Sequence, residues 1–95
     1  MIAVKSDICS THKSVEFYKR YKDAFGEVIK AEMTKDDCYT LKLINKDSEE
    51  FVFEYGLTAG YEGEGTQGTL DVLRLAGFKM SDDIVFYNET FKLKK

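Results

Sequence analysis

Proline and tryptophan are absent from these 95 residues, histidine occurs once and cysteine twice. Each shortage excludes something. Without proline, turns must rest on Gly, Asn, Asp and Ser. Two cysteines, Cys9 and Cys38, allow one bridge at most and no disulfide framework. The chain is therefore expected to keep reduced thiols and to be cytoplasmic. No run approaches the roughly 18 apolar residues that cross a bilayer. After Met1, Ile2-Ala-Val4 offers only a three-residue apolar run before a charge, so no secretory leader is expected either. Charge of one sign is also lacking: 17 acids against 14 bases leave a net −3. That argues against a general electrostatic grip on nucleic acid or on an anionic membrane.

What is present is aromatic. Seven Phe and six Tyr can each bury about 150–250 Å², and this matters in a chain able to bury only about 60–65% of its unfolded surface. The length fits one domain, residues 1–95. Charge is locally uneven. Lys13 to Lys22 carries four bases, while Asp36-Asp37 and Asp47 to Glu50 are acidic. Such runs are ordinarily solvated faces, and an acidic face aimed at a basic partner is the alternative.

Hydrophobic periodicity organises the rest. Ile2, Val4 and Ile8 alternate with polar neighbours as in a half-buried strand. Val15, Tyr18, Tyr21, Lys22 and Phe25 recur at three- and four-residue steps, with Phe17 and Ala24 on the flank. This predicts a helix over Thr11–Phe25 stopped by Gly26; a strand through Val15–Tyr21 competes, because Val, Phe and Tyr favour strands. From Glu27 the period falls to two. Ile29, Ala31 and Met33, then Tyr39, Leu41 and Leu43, then Phe51, Phe53 and Tyr55 form three apolar lines separated by turns at Thr34–Asp37 and Asn45–Glu49, an antiparallel meander. Thr69, Val72, Leu73 and Ala76 share a helical face, with Thr66 or Gly68 as N-cap, Asp71 in the first turn, and Gly77 and Phe78 as a Schellman stop. Ile84 and Phe86, then Phe91 and Leu93, suggest one or two closing strands. The fold expected is α+β, an antiparallel sheet of four to six strands with two helices packed against it.

Between meander and second helix lies Tyr55-Gly-Leu-Thr-Ala-Gly-Tyr-Glu-Gly-Glu-Gly-Thr-Gln-Gly68, with five glycines. Glycine loses more backbone entropy on folding than any other residue, so the cluster must answer a need for turns or close backbone approach. It is no P-loop, lacking the Gly-Lys-Ser/Thr that would follow. Gly63, Gly65 and Gly68 match a dinucleotide fingerprint literally, but no short βαβ unit surrounds them, and Glu62 and Glu64 would repel phosphate. Two readings stand beside a phosphate site: a plain crossing between sheet and helix, and a loop that contacts a partner or an uncharged ligand. For the second the contact residues are Tyr55, Tyr61, Glu62, Gly63, Glu64, Gly65, Thr66 and Gln67, with Tyr61 as aromatic anchor.

Chemistry has little to work with. Cys9 and His12 are half of a zinc pattern without a recognisable second half, and they do not position a thiolate and base reliably. Asp36-Asp37 and Asp82-Asp83 fall in turn-like contexts that favour aspartate for its local hydrogen bonds. Lys19, Arg20 and Lys22 spread around a helix and do not line one face. No catalytic residue, metal or cofactor is expected. The expected function is a non-enzymatic binding protein that occupies a partner macromolecule. The lysine-rich, proline-free, aromatic-rich, sub-100-residue character is similar to many phage-encoded inhibitors, which implies a host or defence enzyme as partner. The alternative is a small-ligand or nucleotide-binding module using residues 56–68. An exposed edge strand would offer a route to a homodimer.

Overall fold

The computed structural model describes residues 3–6 (by their backbone), 10–54, 56–60 and 63–95. The first strand, β1 (Ala3–Ser6), is followed by α1 (Thr11–Phe25), whose bounds are those the periodicity predicts. Ser10 opens the helix, its hydroxyl accepting from the Lys13 amide at 3.3 Å. Gly26, at φ 90°, closes it by donating to the Lys22 carbonyl. That left-handed conformation suits a residue without Cβ. The buried face is Ser14, Val15 and Tyr18. Tyr21, expected on the inner line, is instead 42% exposed. Phe17 turns to the sheet in its place, its ring edge-on to Phe51 at 5.5 Å.

The meander follows as β2 (Val28–Lys35), β3 (Tyr39–Asn45) and β4 (Glu50–Phe53). A β-bulge between Val28 and Lys30 shifts the register. Val28, Ala31 and Met33 are therefore buried while Ile29 is only half-buried, correcting the expected Ile29–Ala31–Met33 line. One extra residue in a strand reverses the face of everything before it. The last strand, β5 (Phe91–Lys94), pairs antiparallel with β2. The sheet order is β1-β4-β3-β2-β5. Four strands form the expected antiparallel sheet, and β1 joins the edge of β4 in parallel, with Ala3 opposite Glu50 and Ser6 opposite Phe53.

The second helix, α2 (Glu64–Leu75), begins three to five residues earlier than either expected N-cap would place it. Gly63 is its N-cap, in extended backbone, so Gly65 and Gly68 lie inside the helix and neither Thr66 nor Gly68 caps it. Glycine inside a helix costs about 1 kcal/mol relative to alanine, and the surroundings explain its presence. A Cβ on Gly65 would meet Thr58 Oγ1 at 2.5 Å; one on Gly68 would run into the Thr11 methyl and meet Leu57 Cδ2 at 3.1 Å. The helix ends as expected in a Schellman stop. Gly77, at φ 94°, donates to Arg74 O, and the Phe78 amide donates to Leu73 O. The Ile84–Phe86 segment is a short helix, α3 (Asp83–Phe86), and not a strand. The Ile84, Val85 and Phe86 amides return to the Ser81 and Asp82 carbonyls, the Tyr87 amide to Asp83 O, and Val85 alone is fully buried.

Helices α1 and α2 cover one face of the sheet. Tyr18 and Phe51 meet edge-on at 5.3 Å, Phe25 and Phe51 also at 5.3 Å, and Phe51 stacks on Phe53 at 4.9 Å. Such aromatic pairs add about 0.5–1.5 kcal/mol beyond the area they bury. Leu41, Leu43, Leu70, Val72 and Leu73 complete the core. No described element covers the opposite face.

Candidate functional site

The glycine segment divides into a buried crossing and a helix start. Gly56 and Gly60 adopt φ 86° and 89°, turning the chain into and out of a short stretch whose Leu57 and Ala59 are buried. Polar groups bolt this stretch to the helices. Thr11 Oγ1 donates to Gly56 O, Thr69 Oγ1 donates to Thr58 O at 2.7 Å, and the Thr58 amide donates to Gly65 O at 3.2 Å. The hydroxyls of Thr58 and Thr66 sit 3.2 Å apart. Thr66, expected to offer a hydrogen bond outward, is fully buried. Of the other expected contact residues, Gly63 caps α2, Gly65 is half-buried beneath Thr58, and Glu64 and Gln67 face outward. Gln67 is held by Asp71, its amide nitrogen donating at 3.1 Å. Tyr55, Tyr61 and Glu62 lie outside the described residues.

The strand order brings a second feature to the same end of the molecule. Strand β4 runs from Glu50 toward the glycine segment, and its antiparallel pairing with β3 places the β2–β3 turn beside it. On the uncovered sheet face there, an open concavity of about 480 Å³ is lined by Asp36, Asp37, Cys38, Thr40, Lys42, Glu50, Val52 and Glu54. Val52 forms its apolar floor, 8% exposed. Four carboxylates face one ammonium, and Lys42 is already within 3.7 Å of Glu50. Lys35, outside the hollow, is engaged at 3.2 Å by Glu89. That hydrogen bond and the charge of Glu89 raise the Lys35 pKa.

Asp36-Asp37, read from sequence as ordinary turn acids, thus join Glu50 and Glu54, distant in the chain, around a common hollow. The alternation of Thr40, Lys42 and Ile44 signalled an outward face; only the strand order shows which acids border it. Cys38 is an exposed free thiol at the rim. Among the described residues no group of three or more His, Cys, Asp or Glu is placed to hold a metal ion, and no helix is long and apolar enough to cross a membrane. No protein-family model, curated protein or solved structure matches this chain.

Proposed function

We propose that this chain is a non-enzymatic binding protein that occupies a basic surface on a partner macromolecule. The observation that carries this reading is the hollow with Asp36, Asp37, Glu50 and Glu54 around Val52, in which the one lysine is paired within the chain. An apolar floor with an acidic rim suits a protruding basic side chain: the stem packs on Val52 and the head meets carboxylate. A small inhibitor of a host or defence enzyme, of the kind phages encode, is the form of this reading that the composition suggests. An exposed thiol at Cys38 fits a reducing cytoplasm.

The test is affinity capture from source-cell extract at low and high salt, with the unaltered chain and with Asp36→Lys/Asp37→Lys/Glu54→Lys. The expected result is a basic macromolecule retained at low salt by the unaltered chain and lost on charge reversal. No retained macromolecule, together with thermal stabilisation by a small molecule, would overturn this reading in favour of a ligand module.

A further inference from the structure

The uncovered face of the sheet carries a graded charge that its own two-fold copy would complement. Alternation and register fix the outward residues on the four antiparallel strands. On β4 they are Glu50 and Val52, on β3 Thr40, Lys42 and Ile44, on β2 Lys30, Glu32 and Thr34, and on β5 Lys92 and Lys94. Across the strands Val52, Lys42, Glu32 and Lys92 form one row, and Glu50, Ile44, Lys30 and Lys94 the next. The β4 side therefore carries the acid Glu50, the β5 side two lysines, and between them Lys42 and Glu32 stand side by side.

We infer that this face pairs with the same face of a second copy of the chain, about a two-fold axis parallel to the strands and lying between β3 and β2. That operator lays β4 over β5 of the second copy and β3 over its β2. Glu50 then faces Lys94 of the second copy, Lys42 faces its Glu32, and Ile44 packs against the stem of its Lys30. Each contact occurs twice, as an isologous interface requires. The alternative two-fold axis, in the face but across the strands, would lay lysine-bearing β5 on itself and acidic β4 on itself. The charge gradient selects the first. Aligned sheets pack about 10 Å apart, a gap that Lys and Glu side chains reaching from both sides can bridge.

Four strands at about 4.8 Å spacing and four to eight residues long present about 250–500 Å² per copy. That is below the roughly 800 Å² per partner of a standard interface. The dimer is accordingly weak and governed by salt, since its pairs are partly solvated. The operator preserves strand direction, so the acidic β2–β3 turns of both copies emerge at the same edge. The pairing would cover the hollow, since both use Lys42, Glu50 and Val52, so the second copy and a basic partner would compete for this face; the two readings are tested separately.

Sedimentation equilibrium of the unaltered chain, up to about 1 mM, should show a monomer–dimer equilibrium that weakens about tenfold or more between roughly 0.02 and 0.5 M salt. Zero-length carbodiimide coupling should join Glu50 to Lys94 in the dimer band alone, because within one chain β4 and β5 are three strand spacings, about 14 Å, apart. Lys94→Glu and Glu50→Lys should each be monomeric alone, and their mixture should form a heterodimer, in which both reversed charges again meet their opposites. A monomer throughout at low salt overturns the inference. So does a dimer indifferent to both charge reversals, which would indicate edge-strand pairing, and so does a mixture that stays monomeric. If Glu50→Lys does not fold, the salt dependence and the cross-link of the unaltered chain decide.

Discussion

Substituting Gly68 by alanine sets two known effects against each other. Alanine is the best helix former and gains about 0.8–1 kcal/mol over glycine in a helix interior. Here its methyl would be driven into the Thr11 methyl, with Leu57 Cδ2 at 3.1 Å and Val15 Cγ2 at 3.5 Å behind it. Thr11 cannot swing aside cheaply. It is β-branched, with few rotamers available in a helix, and its hydroxyl donates to Gly56 O. An overpacked contact between two helices costs about 1–3 kcal/mol, so the expected net is a destabilisation of up to about 2 kcal/mol once the propensity gain is subtracted. For a domain of this size that lowers the melting temperature by up to about 15 °C. Thr11→Ser supplies the control, because it removes the clashing methyl and keeps the hydroxyl. In the Thr11→Ser background, Gly68→Ala should be neutral or stabilising. Thermal and urea unfolding of the four proteins closes a double-mutant cycle with a coupling of about 1–3 kcal/mol. A Gly68→Ala protein more stable than the unaltered chain, or a coupling near zero, would refute close helix approach as the reason for this glycine.

Asn45 is 1% exposed, and its side chain serves four groups, donating to Phe25 O and Glu49 Oε1 and accepting from the Asp47 and Glu49 amides. Asn45→Ala should cost about 2–4 kcal/mol in urea unfolding; a loss under 1 kcal/mol would mean the turn holds itself. Burial pushes the Tyr18 pKa up to about 12 from 10.0. The folded state therefore keeps its proton where the unfolded chain gives it up. Stability from this group is complete below pH 10 and is lost as pH rises from there toward about 12, which should appear as a falling urea midpoint that Tyr18→Phe flattens.

Much of the fold was legible because local patterns coincided with tertiary ones. Ser10 and Gly26 bracket a 3.6-residue period, and both bounds of α1 follow. The meander is written in two-residue alternation and short polar turns, and the Gly77–Phe78 stop in the residue types that such a stop needs. Readings failed where a distant contact overruled a local preference. Gly65 and Gly68 resemble a loop until the Thr58 and Thr11 side chains pressed against them are seen. The bulge at Val28–Lys30 moved a burial line by one residue, and Ile84-Val-Phe86 coiled because its amides found the Ser81 and Asp82 carbonyls. In the candidate site the outward alternation of β3 could be read, but the gathering of Asp36, Asp37, Glu50 and Glu54 depends on strand order, which no single stretch of sequence contains. Thr66 faces inward because its hydroxyl completes the bolting of the crossing segment.

The parallel pairing of β1 with β4 has a consequence for how the chain assembles. The β2–β3 and β3–β4 hairpins close short loops, and α1 can coil from its own residues. Ala3 must find Glu50 across one helix and two strands, and the entropy of closing so long a loop falls due before any contact repays it. The meander can therefore exist without β1, whereas β1 has nothing to join until β4 is in place. Proton exchange should record the same asymmetry in reverse: amides shared by β1 and β4 open first, while those between β2 and β3 persist until the whole molecule unfolds.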